Sequence, residues 1–420
     1  MVAHRCVIFK ILFIFLLCGS VICANSKNRQ QRGCQIKLPT DIPKGEPLYL
    51  SGNPGRFRLF KPINQTNHLA VNSKLTLFCP GRRNTLLNSP NNSTELTCGS
   101  GNRFVNENGH EVNLSQFNCT RGIEGDLHMT REKCSSNRGY IYDIGFRIDS
   151  RNFLTVFKVC YDNSSETTFF STHHINGPVV KYFVKDSRRR NFKTTGMSAT
   201  TKADKVYNKK SQIDRFSDIF GTQQIYINNS MHLSRGHLTP DADFVFPNFQ
   251  LATYFYVNVA PEFQSVNGGN WARIEFMARE LASDYKSDFT IYTGIFETLS
   301  LPNRLGQPVE IFLDSNHKIN APKWFWKVIK NERLDAGIVM ITLNNPFAKR
   351  DEIVEFCPNV CKRASLTSKH FEIIKKGYTF CCEVNAFKNV VHDLPRNFTA
   401  PNLLECAKAN YLFDNEVQLQ

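Results

Sequence analysis

The chain has 420 residues, of which 41% are hydrophobic and 12% aromatic, which is enough apolar material for one large or two medium-sized globular domains. This composition excludes a disordered chain and a collagen-like one. Its 52 Lys and Arg residues against 37 Asp and Glu give a formal net charge of +15, which favours a polyanionic partner such as nucleic acid, a heparin-like sugar or an acidic lipid.

Residues 1–24 have the pattern of a secretory signal peptide. His4, Arg5 and Lys10 precede an apolar run that continues to Ile22 and is followed by the small residue Ala24, near which we expect cleavage. An uncleaved anchor is the alternative, but the run is shorter than the ~20 residues that a membrane span requires. We therefore expect a secreted protein with no stable membrane association. Eight sequons further predict a glycoprotein: Asn64, Asn91, Asn92, Asn113, Asn118, Asn163, Asn228 and Asn397.

Eleven of the 14 cysteines follow the signal peptide, and this number is typical of a disulfide-bonded extracellular protein. Because it is odd, one thiol stays free or forms an intermolecular bridge. The adjacent Cys381 and Cys382 would be strained if bonded to each other, so we expect each to have a different partner. With Cys357, Cys361 and His370 they could instead bind zinc, but an oxidising compartment favours disulfides.

Residues 25–144 are rich in Asn, Gly, Ser and Pro, hold five cysteines and contain only short strand-like runs such as Leu75–Cys79. This pattern predicts a small, disulfide-rich, mainly β domain or a removable pro-segment. A substrate-gripping role and an assembly role are both compatible with it.

Residues 145–420 form the larger predicted domain. Apolar residues recur at three- and four-residue intervals from Trp271 to Tyr285, which predicts an amphipathic helix. A second helix is expected over Thr367–Lys376, with Gly377 as its stop. The class is therefore α+β. The predicted strands are Phe153–Cys160, Val179–Val184, Leu251–Val257, Phe289–Ile295, Val309–Leu313 and Ala336–Thr342.

A basic segment, Lys181–Lys210, lies early in this domain. It holds ten basic and two acidic residues, interleaved with Tyr182, Phe183, Phe192 and Tyr207, a mixture typical of surfaces that bind phosphates and stack on bases or sugars. A solvated loop or a processing site would have the same composition. The candidates for substrate binding are Lys181, Lys185, Arg188, Arg189 and Arg190.

The most informative residues lie in Arg235-Gly236-His237 and in the run that starts at Asn267 and enters the predicted helix. Each suits phosphodiester chemistry. A histidine can remove a proton from water near neutral pH, an asparagine oxygen can bind Mg²⁺, and guanidinium groups complement a phosphoryl transition state. Glu275 and Arg279 are four residues apart on one helix face, so both can address the same metal and phosphate.

In this motif set the chain resembles the non-specific DNA/RNA endonucleases with a ββα-metal active site, and it is most similar to their secreted, signal-bearing arthropod members from gut or saliva. The resemblance covers residues 146–406. It implies an endonuclease domain with a central antiparallel sheet flanked by helices, preceded by the disulfide-rich region.

The resemblance also implies roles. His237 would be the general base, Asn267 the only direct protein ligand of Mg²⁺, with Mn²⁺ as an alternative, and Glu275 would bind the metal's water shell. Arg235 and Arg279 would contact the scissile phosphate. Two asparagines would support the site: Asn258 and Asn270.

The implied function is Mg²⁺-dependent hydrolysis of RNA, DNA or both, acting on double strands without sequence preference and leaving 5′-phosphate ends. Such a site grips the backbone, so the sequence does not decide between RNA and DNA, and it predicts no oligomeric state. Ser234 stands where the family usually has Asp. A nucleic-acid-binding protein that has lost turnover is therefore one alternative, and a binder of heparin-like polyanions through the basic segment is another.

Overall fold

The computed structural model describes residues 33–184, 191–395 and 398–406. The predicted signal peptide and four of the substrate-binding candidates, Lys185, Arg188, Arg189 and Arg190, lie outside these ranges. In the described part of the chain, no helix is long and apolar enough to cross a membrane.

Residues 33–125 form a β-rich N-terminal unit. Its strands are β1 (Cys34–Lys37), β2 (Leu48–Ser51), β3 (Arg58–Leu59), β4 (Thr66–Leu69), β5 (Lys74–Phe78), β6 (Ser93–Cys98), β7 (Phe104–Val105) and β8 (Glu111–Val112). One sheet has the order β3-β2-β5-β6-β7-β8, and β1 pairs with β4. The disulfides Cys34–Cys98 and Cys79–Cys119 cross-link the unit, as short strands around a small core require. The prediction of a disulfide-rich, mainly β region is confirmed.

The rest of the chain is built on one large sheet. Its strands and those beside it are β9 (Asp126–Cys134), β10 (Gly139–Arg147), β11 (Phe153–Asp162), β12 (Thr167–Ile175), β13 (Leu233–His237), β14 (Val259–Phe263), β15 (Phe289–Thr298), β16 (Ser300–Pro302), β17 (Pro308–Glu310), β18 (Pro322–Asn331), β19 (Ala336–Leu343), β20 (Thr379–Cys382) and β21 (Asn402–Leu403). The helices are α1 (Ala203–Val206), α2 (Lys209–Phe220), α3 (Pro247–Leu251), α4 (Gln264–Val266), α5 (Ala272–Tyr285) and α6 (Val384–Lys388).

The large sheet has the antiparallel order β20-β19-β18-β15-β12-β11-β10-β9, and β21 lies parallel to β19. This central antiparallel sheet confirms the predicted fold class. The predicted domain boundary at residue 144 lies inside β10, which pairs with β9 on one side and β11 on the other. The sheet therefore begins at Asp126, and strands on both sides of that boundary belong to it.

Both faces of the sheet are covered, so its central strands are apolar on both sides. The helix α5 packs Ile274, Met277 and Leu281 against β15 and β18. On the opposite face, Trp326 and Val339 pack with residues of the C-terminal segment. This explains why β18 and β19 are buried almost throughout and why β19 does not alternate between apolar and polar residues. The predicted amphipathic helix is confirmed as α5.

Two predicted strands are wrong. Val179–Val184 contains a single 3₁₀ turn, at Val180–Tyr182, and its buried valines pack on the N-terminal unit. Leu251–Val257 leaves the end of α3 and enters another 3₁₀ turn, at Tyr256–Asn258. Leu251–Val257 is almost wholly buried, whereas Lys181 and Phe183 of the first run are exposed. A short apolar run does not by itself distinguish a strand from a loop.

Two further predictions need correction. Only the start of Val309–Leu313 belongs to a strand, which is β17. Thr367–Lys376 is not a helix but a series of turns that ends in one 3₁₀ turn. Leu366 and Phe371 are both buried under α5, and a spacing of five residues would put them on different helix faces. Tertiary packing therefore overrides the helical pattern.

The N-terminal unit shares a core with the rest of the chain. The rings of Tyr49 and Phe246 lie 6.0 Å apart. Next to them the buried Glu46 accepts hydrogen bonds from Asn248, at 3.1 Å through its side chain and 2.8 Å through its carbonyl. The interface is thus buried and hydrogen-bonded.

Candidate active site

The site is built on a two-stranded ribbon and the start of α5. The motif Arg235-Gly236-His237 lies within β13, which pairs antiparallel with β14, so that Gly236 lies opposite Ala260. The motif is itself part of a strand, and Asn258 lies directly before the second strand of the ribbon. The order strand, strand, helix is that of the predicted ββα arrangement.

Asn258 is a brace for this ribbon. It is fully buried, and its amide nitrogen donates to the carbonyls of Thr239 and Thr253, at 2.9 Å each. Its amide oxygen accepts from the backbone of Thr239 at 3.0 Å. These bonds fix the chain where it leaves His237, which is the supporting position that the sequence suggested.

His237 is held between two aromatic rings. The centroid of its ring lies 5.1 Å from Phe192 and 5.3 Å from Tyr254. Its Nε2 is buried and has no hydrogen-bond partner among the described residues. Burial lowers the pKa of His237, although the charge of Asp241 opposes this. The imidazole is therefore neutral at neutral pH and its ring can accept a proton.

Arg235 is surrounded by aromatic faces. Its guanidinium carbon lies 5.3 to 5.5 Å from the rings of Phe192, Tyr207 and Tyr256, and its Nε donates to the Tyr256 hydroxyl at 3.0 Å. Phe192 and Tyr207 were expected to stack on bases or sugars. In the structure they pack around Arg235 and His237, and so they position the site.

Asn267 is oriented by Ser234. The Asn267 amide nitrogen donates to Ser234 Oγ at 3.0 Å, and that hydroxyl donates to the carbonyl of Glu262 at 2.9 Å. The amide oxygen of Asn267 has no hydrogen-bond partner within the described ranges. Ser234, which stands where the family usually has Asp, therefore still supplies a hydrogen-bond acceptor for the amide nitrogen of Asn267.

The wide turn after Asn267 is anchored from below. Asn270 is fully buried and donates to the carbonyls of His370 and Gly377, at 2.7 and 2.6 Å. Gly269 approaches the carbonyl of Lys376 so closely that a Cβ would lie 2.6 Å from it. Only glycine fits there. Asn270 thus supports the position of Asn267 from a distance.

Arg279 is fixed by Asp243. Its Nη1 donates to one oxygen of this buried carboxylate at 2.9 Å, and His173 Nε2 lies 2.8 Å from the other oxygen. Burial opposes ionisation, but the hydrogen bond to His173 and the charge of Arg279 lower the pKa of Asp243. Asp243 and His173 were missed by sequence reasoning. The only signal was the nearness of Asp243 to the motif in the chain.

Glu275 lies in the same electrostatic environment. Burial raises its pKa to about 7, against the charges of Lys327 and Arg279. No hydrogen bond to its carboxylate is found in the described part of the chain. Together with the free amide oxygen of Asn267, it offers hard oxygen donors, which suit a cation that keeps much of its water, as Mg²⁺ does.

Beneath the motif lie two buried ionisable groups that the sequence did not point to. Neither oxygen of Glu262 has a hydrogen-bond partner among the residues that the structure describes, and one of them occupies the space that a Cβ on Gly236 would need. Lys327 Nζ donates to Thr293 at 2.6 Å and lies 5.1 Å from the ring centroid of Trp271. The available signal for Lys327 in the sequence was its position between the apolar residues Trp326 and Val328 of β18.

Burial raises the pKa of Glu262 well above its ordinary value of 4.5, so the folded protein keeps a proton there that the unfolded chain releases as pH rises above 4.5. Stability is therefore lost with rising pH. We expect Glu262→Gln, which mimics the protonated acid, to raise the free energy of unfolding at pH 7 by about 1–3 kcal/mol and to have little effect at pH 4.

Urea unfolding at the two pH values would measure this change. Glu310→Gln is the matched control, because Glu310 is exposed and such surface changes stay within about 0.5 kcal/mol. Destabilisation of Glu262→Gln at pH 7 would show instead that the carboxylate is ionised and paired with Lys327.

The cysteines outside the site are paired as expected of an oxidised protein. Cys381 bonds to Cys361 and Cys382 to Cys357, so each has a different partner and the zinc interpretation is wrong. A further disulfide joins β9 to β11, and within the described ranges Cys406 is the free thiol. No group of three His, Cys, Asp or Glu side chains in those ranges could hold a metal.

Lys181 is the candidate substrate-binding residue that the described ranges contain. Its Nζ lies 3.0 Å from Glu280, one residue after Arg279 on α5. The start of the basic segment therefore lies beside the helix that carries Glu275 and Arg279.

Comparison with known proteins agrees with this geometry. A salivary endonuclease of Lutzomyia longipalpis is 32% identical over 368 residues, which cover 86% of this chain and 84% of that protein. Salivary protein Tsal1 of Glossina morsitans morsitans is 31% identical over 379 residues, covering 89% and 94%. The human mitochondrial nuclease EXOG is 28% identical over 131 residues, covering 30% and 34%. The profile of the DNA/RNA non-specific endonucleases matches residues 137–387, and the chain belongs to this family of nucleases.

Proposed function

We propose that the protein is a secreted, Mg²⁺-dependent endonuclease that hydrolyses phosphodiester bonds of double-stranded RNA, DNA or both without sequence preference. The proposal rests on two polar atoms that lie on adjoining elements and have no hydrogen-bond partner among the described residues. They are the buried Nε2 of His237 and the amide oxygen of Asn267. One suits a general base and the other a metal ligand.

His237 acts as the general base. Its ring is held by Phe192 and Tyr254, so the orientation of the base is set before the substrate binds. Because burial lowers its pKa, the neutral form that accepts the proton prevails at neutral pH. Proton removal makes the water a stronger nucleophile for in-line attack on phosphorus. As the new P–O bond forms, the P–O3′ bond breaks, the 3′ oxygen leaves and takes up a proton from solvent, and the phosphate stays on the 5′ oxygen.

Asn267 binds the metal through its amide oxygen, and Glu275 holds water around it. The family is metal-dependent. A divalent cation at this place supplies a Lewis acid that stabilises negative charge on phosphoryl oxygens. The hydroxyl of Ser234 keeps the amide nitrogen of Asn267 occupied, which turns the oxygen outward. Mg²⁺ suits these hard donors best, and Mn²⁺ has similar ligand preferences.

Arg235 and Arg279 bind the scissile phosphate. Aromatic rings fix the first, and Asp243 fixes the second. A guanidinium that is already in place needs no reorganisation when charge develops in the transition state. Lysine would be a poor replacement at either position, because it lacks the planar guanidinium that can stack on aromatic rings while it donates hydrogen bonds.

A protein that has lost turnover because Ser234 stands in place of Asp is the competing explanation. The hydrogen bonds of the Ser234 hydroxyl support the active enzyme, because it accepts from the amide nitrogen of Asn267 and donates to the carbonyl of Glu262 on β14. The names of two relatives describe them as salivary, which supports secretion together with the N-terminal sequence.

A side-by-side digestion tests the proposal. Purified protein is incubated with duplex RNA, single-stranded RNA and duplex DNA, each with Mg²⁺, with Mn²⁺ and with a chelator, and the product ends are determined. We expect cleavage of at least one duplex with a divalent ion, 5′-phosphate ends, and none with the chelator. Tight, salt-sensitive binding without cleavage at any divalent-ion concentration would identify the inactive binding protein instead.

A further inference from the structure

We propose that the N-terminal unit carries a second nucleic-acid-binding surface, formed by Arg82, Arg83 and Arg121 and called here the arginine cluster. It binds the phosphate backbone of the same duplex that is cut at His237. This inference rests on the proposed function and adds to it the binding element that makes long duplexes the preferred substrate.

The arginine cluster is assembled on two loops that are tied together. The disulfide Cys79–Cys119 joins the loops. The buried side chain of Asn84 accepts from the backbone of Arg121 at 2.9 Å and donates to the carbonyl of Pro80 at 2.9 Å. Because Arg82 and Arg83 lie between Pro80 and Asn84, these bonds fix all three arginine backbones relative to one another.

The arginine cluster carries charge that no neighbour neutralises. All three residues are exposed, and none of them forms an ion pair with another described residue. The nearest acid along the chain, Glu124, is engaged by Lys193 at 2.8 Å. Guanidinium groups that lie close together without acidic partners repel one another, which destabilises the folded protein. A bound polyanion would neutralise this charge.

The loop that carries Arg121 continues to Gly125, which is connected to the active site through Lys193 and Phe192. The carbonyl of Gly125 accepts from Lys193 Nζ at 2.8 Å, and the neighbour of Lys193, Phe192, is the ring that packs on His237 at 5.1 Å. The cluster is therefore linked to the catalytic histidine through a short chain of direct contacts.

A bound on the distance follows from chain geometry. Gly125 lies four positions after Arg121 and packs on Ala252, and Tyr254, two positions after Ala252, contacts His237. At 3.3–3.6 Å per extended residue this path is at most ~35 Å. A duplex rises about 3.4 Å per base pair, so a substrate that extends about ten base pairs from the cut is long enough to reach both surfaces.

The N-terminal unit is held rigidly enough to act in this way. Its interface contains the buried hydrogen bonds between Glu46 and Asn248 and the stacked pair of Tyr49 and Phe246. A second binding surface at a fixed distance raises affinity without new contacts at the first, because the second contact is made within one complex. This makes a gripping module a better explanation of residues 33–125 than a removable pro-segment.

The test compares two groups of arginines on the same unit. Arg82→Ser, Arg83→Asn and Arg121→Ser are combined, with asparagine at Arg83 because its φ is 58° and asparagine tolerates that conformation. The control is Arg56→Ser with Arg58→Ser. These arginines are exposed and precede Lys61, which pairs with Asp288 beyond the far end of α5, about 20 Å from the catalytic end.

Binding to a 40-base-pair duplex is measured with a chelator present, over a series of salt concentrations. We expect the cluster variant to bind roughly tenfold more weakly near 0.1 M salt and to lose about two to three units of the slope of log K against log salt. With Mg²⁺, its KM for the long duplex should rise while kcat stays unchanged, and the rise in KM should shrink as the duplex is shortened below about ten base pairs on either side of the cut.

Equal behaviour of the cluster variant and the control on the long duplex would overturn the inference, as would a rise in KM that does not depend on duplex length. Because the binding measurement needs no cleavage, it also separates the two proposals. A protein that binds through the arginine cluster but never cuts would contradict the proposed function and leave only the duplex-binding role of the cluster standing.

Discussion

Replacement of His237 by alanine is expected to lower kcat for plasmid DNA and long duplex RNA by about 10²–10⁴-fold, the usual contribution of a general base. The loss should fall on kcat, because the buried ring between Phe192 and Tyr254 adds little to the binding of a polyanion. Initial rates at saturating substrate would measure it, with thermal unfolding as the check on folding.

His232→Ala is the matched control, since this histidine lies just before β13 and outside the site. It should retain activity within a few-fold. Burial lowers the pKa of His237, so in the wild type the acid limb that this base contributes to kcat/KM should lie below the ordinary histidine value of about 6.5. Full activity of His237→Ala would exclude it as the base.

Replacement of Asn267 by alanine is expected to reduce metal affinity by more than the 10–100-fold typical of an outer-shell change and to reduce cleavage at fixed Mg²⁺ accordingly. Ser234 binds the amide nitrogen of Asn267, which leaves the amide oxygen without a hydrogen-bond partner among the described residues and available to a metal. Electron paramagnetic resonance of bound Mn²⁺ would measure affinity without any turnover.

Ser234→Ala provides a graded comparison, because it removes the hydroxyl that orients Asn267 and keeps Asn267 itself as the metal ligand. We expect a loss of about tenfold in Mn²⁺ affinity, smaller than that of Asn267→Ala. Unchanged Mn²⁺ binding in Asn267→Ala would place the metal elsewhere, and a larger effect at Ser234 would make the hydroxyl itself the ligand.

The chemistry-bearing motif was predictable because its residues are close in the chain and their spacing matches a known family. His237 and Asn267 lie on elements that pack together directly, and the periodicity of α5 reflects one buried face. The four buried ionisable groups around Arg279 and beneath Gly236 were not predictable in this way: His173, Asp243, Glu262 and Lys327. Three of them come from β12, β14 and β18, and only the folded sheet brings these strands together.

Two of the errors share a feature. Leu251–Val257 and Val179–Val184 contain the apolar residues of strands, yet the buried residues of each run pack partly on the sheet and partly on the N-terminal unit. Contacts of this kind are tertiary, and a short apolar run does not reveal its conformation by itself.

The interface between Glu46 and Asn248 joins residues 202 positions apart, and this has a consequence for the order of folding. At 5–20 residues per second of synthesis, the first strands wait about 10–40 s before the segment that they pack against is made. The disulfides Cys34–Cys98 and Cys79–Cys119 close entirely within those early residues. We therefore expect oxidation of the nascent N-terminal unit to precede its docking, so that it meets the nuclease domain as an already folded piece.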